Sequence, residues 1–202
     1  METVEHLFET IESHLIHDTF PSRFLNNIID NPIFKVYPFD MLSKLKSVEQ
    51  SQKYHPEGSV WNHTMLVVDE AAKVKNRSKD DRVFMWAALL HDIGKYSTTK
   101  SRKGKITSYD HDKVGADMAY KFLNKFTEDK EFIFNVVALV RWHMQILFVV
   151  NNLSSANIQD MKSQVDIKEV ALLGECDRLG RLNVDREKEN ENIKLFIQKC
   201  SL

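Results

Sequence analysis

Residues 87–95 read AALLHDIGK, and the pair His91–Asp92 at the centre of this stretch decides how the rest of the chain is read. The apolar run 83–90 delivers the pair to a turn marked by Gly94. Neighbours on a helix lie about 100° apart around the axis. An imidazole and a carboxylate leaving one helix end can therefore reach a common centre. Both are ligand types suited to a divalent transition metal. A His-Asp dipeptide alone is more often a surface or capping pair; the pattern around it changes the reading.

Composition sets the outer limits. The chain has 202 residues, 43% hydrophobic and 28% charged, which suits one globular domain or one domain with a helical extension. A formal net charge of −1 argues against bulk electrostatic binding to nucleic acid or an acidic membrane, while leaving room for a local basic patch. Six Gly and four Pro favour helices over many short strands. Cys176 and Cys200 form no CxxC pair, so a reduced, cytoplasmic setting is expected. No wholly apolar run approaches the roughly 20 residues needed to span a bilayer. The N-terminus, METVEHLFETIESH, is acidic and amphipathic, unlike a signal peptide.

Apolar positions at helical spacing place a first helix over 2–17, where His14 and His17 read as surface residues. Pro21, Pro32 and Pro38 punctuate short helices, including 39–45, and 47–58 reads as a polar loop. A strong helix follows over 60–75, with His63 on the face of Val60, Val67 and Ala71. The next helix starts near Asp80, a capping residue, and ends at His91–Asp92. His111 precedes a helix over 114–126. A helix over 131–148 carries His143 in line with Val136, Leu139 and Val140. Beyond a loop at 151–155 and a short helix, 167–182 carries Asp177 in line with Val170 and Leu173, and 186–199 is charged and amphipathic. No strand is expected. The fold class is all-α, with a helical extension over 1–37 and the main domain over 38–202.

A lone histidine on an apolar helix face is usually a satisfied core residue. Here His63, His91, His143 and Asp177 all point inward, and a buried unpaired carboxylate costs several kcal/mol. A shared cation removes that cost, and inward His and Asp side chains from several helices are how bundle cores bind metal. The set His63, His91, Asp92, His111, His143 and Asp177 has two more ligands than one tetrahedral ion needs. Asp92 has two oxygens with which to bridge a pair of ions about 3.5–4 Å apart. Residues 95–105, KYSTTKSRKGK, form the one sharply basic stretch, with Lys95, Lys100, Arg102, Lys103 and Lys105 and no acid. It reads either as a solvated loop or as a holder of an anionic substrate. Arg141, Arg178 and Arg181 flank the His143 and Asp177 positions, suited either to phosphate or to a neighbouring acid. His55 and Glu57 fit the mouth of a site and a plain turn equally well.

The order H…HD…H…H…D resembles the HD superfamily of metal-dependent phosphohydrolases. Over about 38–181 the stretches YHPEGSVWNHT, LLHDIGK, HDKVGADMA, VRWHM and ECDRLGR are similar to the C-terminal HD domain of bacterial CCA-adding tRNA nucleotidyltransferases. The resemblance implies a helical HD bundle binding one or two divalent ions (Mg, Mn, Fe, Ni, Co or Zn). His63, His91, Asp92 and Asp177 match its four-ligand core, and His111 and His143 match the extra histidines of two-metal branches. Lys95 matches the lysine of HDIGK, which contacts phosphate or aids the leaving group, so Asp92 and Lys95 are the implied catalytic pair. Lys95, Lys100, Arg102, Lys103, Arg141 and Arg181 are the expected substrate-binding cations. The 62 residues before His63 are expected to be too few for a nucleotidyltransferase head, and the one D-x-D, at 110–112, has no Gly-Ser pair before it. The implied partner is a phosphorylated small molecule, nucleotide or RNA end, with no membrane. Two rival readings remain: a non-catalytic RNA- or nucleotide-binding module that keeps metal for structure, and a di-iron oxygenase.

Overall fold

Most helix starts in this chain are fixed by a short polar side chain that accepts from the first turn's backbone N–H groups. In the computed structural model, which describes residues 3–201, Thr3 caps α1 (Val4–His17) by accepting from His6 N. The sequence-expected start at residue 2 lies outside the described residues. A second helix, α2 (Pro21–Ile28), takes Pro at its first position. The expected helix over 39–45 is α3 (Asp40–Ser43) running into a 3₁₀ turn at Lys44–Ser47. Ser59 caps α4 (Val60–Val74), and Asp80 caps α5 (Asp81–Leu90) by accepting from Val83 N at 3.0 Å.

The helix α5 is apolar all round, as a core helix is, and every residue from Val83 to Leu90 is buried. It packs against α1, α4, α8 and α11. The N-terminal helix is joined to it by a polar clasp: Glu12 Oε2 accepts from Trp86 Nε1 at 2.9 Å and from Arg82 Nε at 2.8 Å. Because Trp86 is fully buried, Glu12→Ala leaves an indole N–H unpaired. A loss of about 2 kcal/mol is expected, read as a lower thermal midpoint, with Glu12→Gln retaining most of it. Equal midpoints for Glu12→Ala and wild type would show that the clasp contributes nothing.

After α5 the backbone stays helical through His91 and closes two tight turns, Ile93 N to Leu90 O at 3.0 Å and Lys95 N to Asp92 O at 2.9 Å. One further helical turn, α6 (Lys95–Thr98), precedes a hairpin of β1 (Lys100–Arg102) and β2 (Lys105–Thr107). The expectation of no strand is corrected here. Lys103 and Gly104 both have positive φ, 50° and 75°, as a two-residue hairpin turn requires. The strands are three residues long, with β1 exposed throughout and Ile106 and Thr107 of β2 half-buried, so no apolar alternation marks them.

Next, α7 (His111–Leu123) begins at His111 itself, three residues before the expected start. The expected helix over 131–148 is two, α8 (Lys130–Trp142) and α9 (Gln145–Val150), broken at His143–Met144. Residues 130–150 contain an 18-residue window of mean hydropathy 1.7, enough by length and composition to cross a membrane, but 56% of that window is buried inside the molecule. Its apolarity serves the core. The chain closes with α10 (Ile158–Gln164), α11 (Ile167–Leu179) and α12 (Arg186–Cys200). Among the described residues the protein is 67% helical and all-α apart from the hairpin.

Three glycines bring the site elements together. A Cβ on Gly94 would lie 2.2 Å from His111 O and 2.6 Å from Gly115 N, so the turn after Asp92 packs backbone to backbone on the start of α7. Gly180 makes the same kind of approach to Val67, which holds the end of α11 against α4. Gly174 accepts the Ile146 side chain, seating α9 on α11.

Candidate metal centre

His91 and His143 each stand at the C-terminal cap of a core helix, His111 at the first position of α7, and His63 one turn into α4. All four are buried, as is Asp92. The ring nitrogens are set by the backbone. His91 Nδ1 donates to Ala88 O at 2.9 Å, His111 Nδ1 to Ser108 O at 2.7 Å, and His143 Nδ1 to Val140 O at 2.7 Å. Each of these contacts fixes the tautomer and leaves Nε2 as a bare acceptor.

Those acceptors meet one another. His111 Nε2 and His143 Nε2 are 3.2 Å apart. His91 Nε2 is 3.3 Å from Asp92 Oδ2, and His111 Nε2 and His143 Nε2 are 3.4 and 3.8 Å from Asp92 Oδ1. Burial pushes His143 down to about 3, helped by the neighbouring histidines, and burial also lowers His111. Both are thus neutral near pH 7, and their lone pairs face each other. His91 Nε2 has no hydrogen-bond partner, and Asp92 Oδ2 is met by a single cation, the Lys95 ammonium at 2.6 Å. Imidazole lone pairs and a carboxylate gathered with Lys95 as the one donor among them suit a cation, and these residues fit a divalent metal. Three overlapping groups have ligand atoms within 4.8 Å of one another: His63, His91 and Asp92, and Asp92, His111 and His143, which share Asp92, and His55, Glu57 and His63 beside them.

Asp177 joins through His63, whose Nε2 lies 2.9 Å from its Oδ1. Burial opposes charge on both partners, yet Arg181 and His63 hold Asp177 well below the usual carboxylate range, and Asp177 and Glu57 raise His63 above its ordinary value. Asp92 is likewise held low against its burial, chiefly by Lys95 and His91. The Lys95 ammonium sits 2.6 Å from Asp92 Oδ2 and donates to Gln50 Oε1 at 2.7 Å. Its side chain is only 11% exposed, whereas the sequence places it in a basic stretch that reads as exposed.

The centre forms the floor of a cavity of about 600 Å³. Asp92, Lys95, His111, His143, Asp177, Arg178 and Arg181 line it, as do Gln50, His55, Tyr54 and Tyr109. Sequence reasoning left Glu57 open. Its side chain is 2% exposed and its Oε1 lies 2.9 Å from both His55 Nδ1 and His63 Nδ1, the former a hydrogen bond and the latter out of line for one. Despite its burial, His63 and His55 hold Glu57 down to about 2. Burial pushes His55 down to about 4. Gln50 was missed, since a glutamine in a polar loop carries no signal.

Other expected cations lie elsewhere. Lys100, Arg102 and Lys103 are on the hairpin and do not line the cavity. Arg141 is also outside it, paired with the buried Asp112 at 2.6 Å and stacked 4.2 Å from the Trp142 ring centre. Arg141→Ala is expected to cost about 2 kcal/mol, because it strands the Asp112 carboxylate. In a domain of this size that lowers the midpoint by about 4–8 °C, with KM for a small substrate moving less than about twofold. A large rise in KM with an unchanged midpoint would restore a substrate role to Arg141.

A family model described as "HD domain" matches residues 60–180. The chain is similar to the multifunctional CCA protein of Actinobacillus pleuropneumoniae serotype 5b (strain L20), 31% identical over 97 residues, covering 46% of this chain and 23% of that protein. It is 34% identical over 89 residues to the multifunctional CCA protein of Pasteurella multocida (strain Pm70), 44% and 21% of the two chains. Against that of Vibrio cholerae serotype O1 (strain M66-2), identity is 26% over 152 residues, 72% and 36%. The matches thus span from about a fifth to just over a third of these relatives' length.

Proposed function

The chain belongs to the HD domain family, and from that premise we propose that it hydrolyses a phosphomonoester or phosphodiester of a nucleotide or RNA end through metal-activated water. One observation carries this reading: three imidazole Nε2 atoms converge on both oxygens of Asp92 with no donor but Lys95 among them. His63, His91, Asp92 and Asp177 would hold one divalent ion, and Asp92, His111 and His143 a second. A divalent ion held there supplies a Lewis acid for a phosphoryl oxygen and lowers the pKa of water.

The protein's own residues do the rest. Backbone carbonyls at Ala88, Ser108 and Val140 hold three imidazoles in the ligating tautomer. Glu57 sits against His63 and fixes its ring from behind. Lys95 and Arg181 bring two cations to the cavity wall, and these meet the charge that develops on phosphoryl oxygens or on the leaving group.

The test is a screen of phosphomonoesters and phosphodiesters with protein purified without chelator, run beside Lys95→Ala. Metal-dependent hydrolysis by wild type is expected, with kcat lower by on the order of 10²–10³ in the variant while its metal content is retained. Because Lys95 is paired with a buried carboxylate, the metal-free variant is also expected to lose about 3 kcal/mol of stability. A lysine in a solvated loop would lose far less. A metal-loaded wild type inert on every ester would favour a binding module. Coloured, redox-active iron would favour an oxygenase.

A further inference from the structure

The hairpin raises a question that the metal centre does not answer. Register pairs Arg102 directly with Lys105 and Lys100 with Thr107, so Lys100, Arg102 and Lys105 share one face, with Lys103 at the turn. Like charges directly opposite one another destabilise a two-stranded ribbon, which is marginal to begin with. All four cations are exposed, and among the described residues none has a carboxylate within salt-bridge distance. The chain as a whole is slightly acidic, so this charge is concentrated locally. It is not spent on the cavity: Ile106 and Thr107 line the wall, but the four cations do not. The turn at Gly104 stands about 13 Å of extended chain from Ser108, itself a wall residue. A small phosphoester in the cavity leaves these charges without a partner. A longer polyanion does not.

The cavity mouth carries a second feature of the same kind. Tyr109 and Tyr54 line the same cavity and are 74% and 59% exposed; Tyr109 follows the hairpin two residues on, and the Lys53 ammonium lies 5.3 Å from the Tyr54 ring centre, a further cation at the same wall. Cations that follow a phosphate backbone, with aromatic faces for unpaired bases, are the two parts of a single-strand binding surface. The hairpin turn is Lys-Gly and has no apolar side chain to insert into lipid, which argues against a membrane. We propose that the hairpin Lys100–Thr107 is a docking surface for the backbone of single-stranded RNA whose terminal phosphate enters the cavity, with Tyr109 and Tyr54 stacking the bases next to it. Only the fate of that phosphate rests on the phosphohydrolase reading; the docking surface stands on the ribbon's charge and position.

The experiment measures binding of the full chain to a fluorescent single-stranded RNA of about 12 nucleotides by anisotropy, at several salt concentrations, with a mononucleotide and anionic phospholipid vesicles as separate probes. Wild type is compared with the combined variant Lys100→Gln, Arg102→Gln, Lys103→Gln, Lys105→Gln and with Tyr109→Ala, folding being checked by thermal midpoint. Wild type is expected to bind the RNA more tightly than the mononucleotide. The four-charge variant should lose at least about tenfold in affinity and flatten the log–log salt slope by about 3, from four contacts at about 0.7 each. Tyr109→Ala should lose about tenfold with the slope kept. An unchanged affinity and slope in the four-charge variant would overturn the proposal. So would hairpin-dependent capture by vesicles without RNA binding. Hydrolysis of small esters by a protein that ignores RNA would remove the docking surface and leave the catalytic reading. Hairpin-dependent RNA binding by a metal-loaded protein that hydrolyses nothing would support the docking surface and remove the catalysis.

Discussion

Asp92→Asn is expected to purify without bound metal and to lose hydrolysis by on the order of 10³-fold or more. Asp92 is the residue shared by the two ligand groups, with Oδ2 toward His91 and His63 and Oδ1 toward His111 and His143. The amide keeps the shape of the side chain, so packing survives. It removes one negative charge and turns one acceptor into a donor amid imidazole lone pairs, which ion binding cannot tolerate. Thermal shift gives a second readout. An ion at a hundred times its Kd stabilises wild type by about 2.7 kcal/mol, a rise of roughly 5–10 °C for a domain of this size. Asp92→Asn should show no such rise. A variant with full metal content and the same shift would place the ion elsewhere.

Gly94→Ala should cost about 3 kcal/mol and lower the midpoint by about 6–12 °C. The added methyl carbon would sit 2.2 Å from His111 O and 2.9 Å from Gly115 Cα, and backbone cannot rotate away as a side chain can. Separating the turn from α7 also moves His111 away from Asp92, so ion affinity should fall with stability although neither residue has been changed. Gly174→Ala provides the contrast. Its methyl meets Ile146 Cδ1, the far end of a side chain that can adjust, so a smaller loss with intact metal binding is expected. If Gly94→Ala matched wild type in midpoint and metal content, the close approach would not be what aligns the site.

The helices and the inward face of each candidate ligand were legible because burial leaves a period of about 3.6 residues in the sequence. His63, His143 and Asp177 each sit in an apolar row, and a row survives without knowledge of its neighbours. The hairpin was not legible, since strands of three residues, one wholly exposed and the other half-buried at two adjacent positions, leave no alternation to read. The break at His143–Met144 was hidden for a different reason: it contains neither Gly nor Pro, and the apolar row runs straight through it. Arg141 shows the limit most clearly. Its position beside His143 suited either phosphate or an acid, and the acid it pairs with, Asp112, lies 29 residues away, a choice only the tertiary fold reveals. Lys95 lies in a stretch that reads either as a solvated loop or as a holder of an anion, and its enclosure by Gln50 and Asp92 is visible only in the fold.

Metal analysis of wild type and Asp92→Asn, both purified without chelator, tests the central claim most directly. One or two equivalents of a divalent ion in wild type, absent from the variant and restored to stripped wild type by titration, is the predicted result. A wild-type protein that carries no ion and takes up none on titration would contradict it, and the converging imidazoles would then need another explanation.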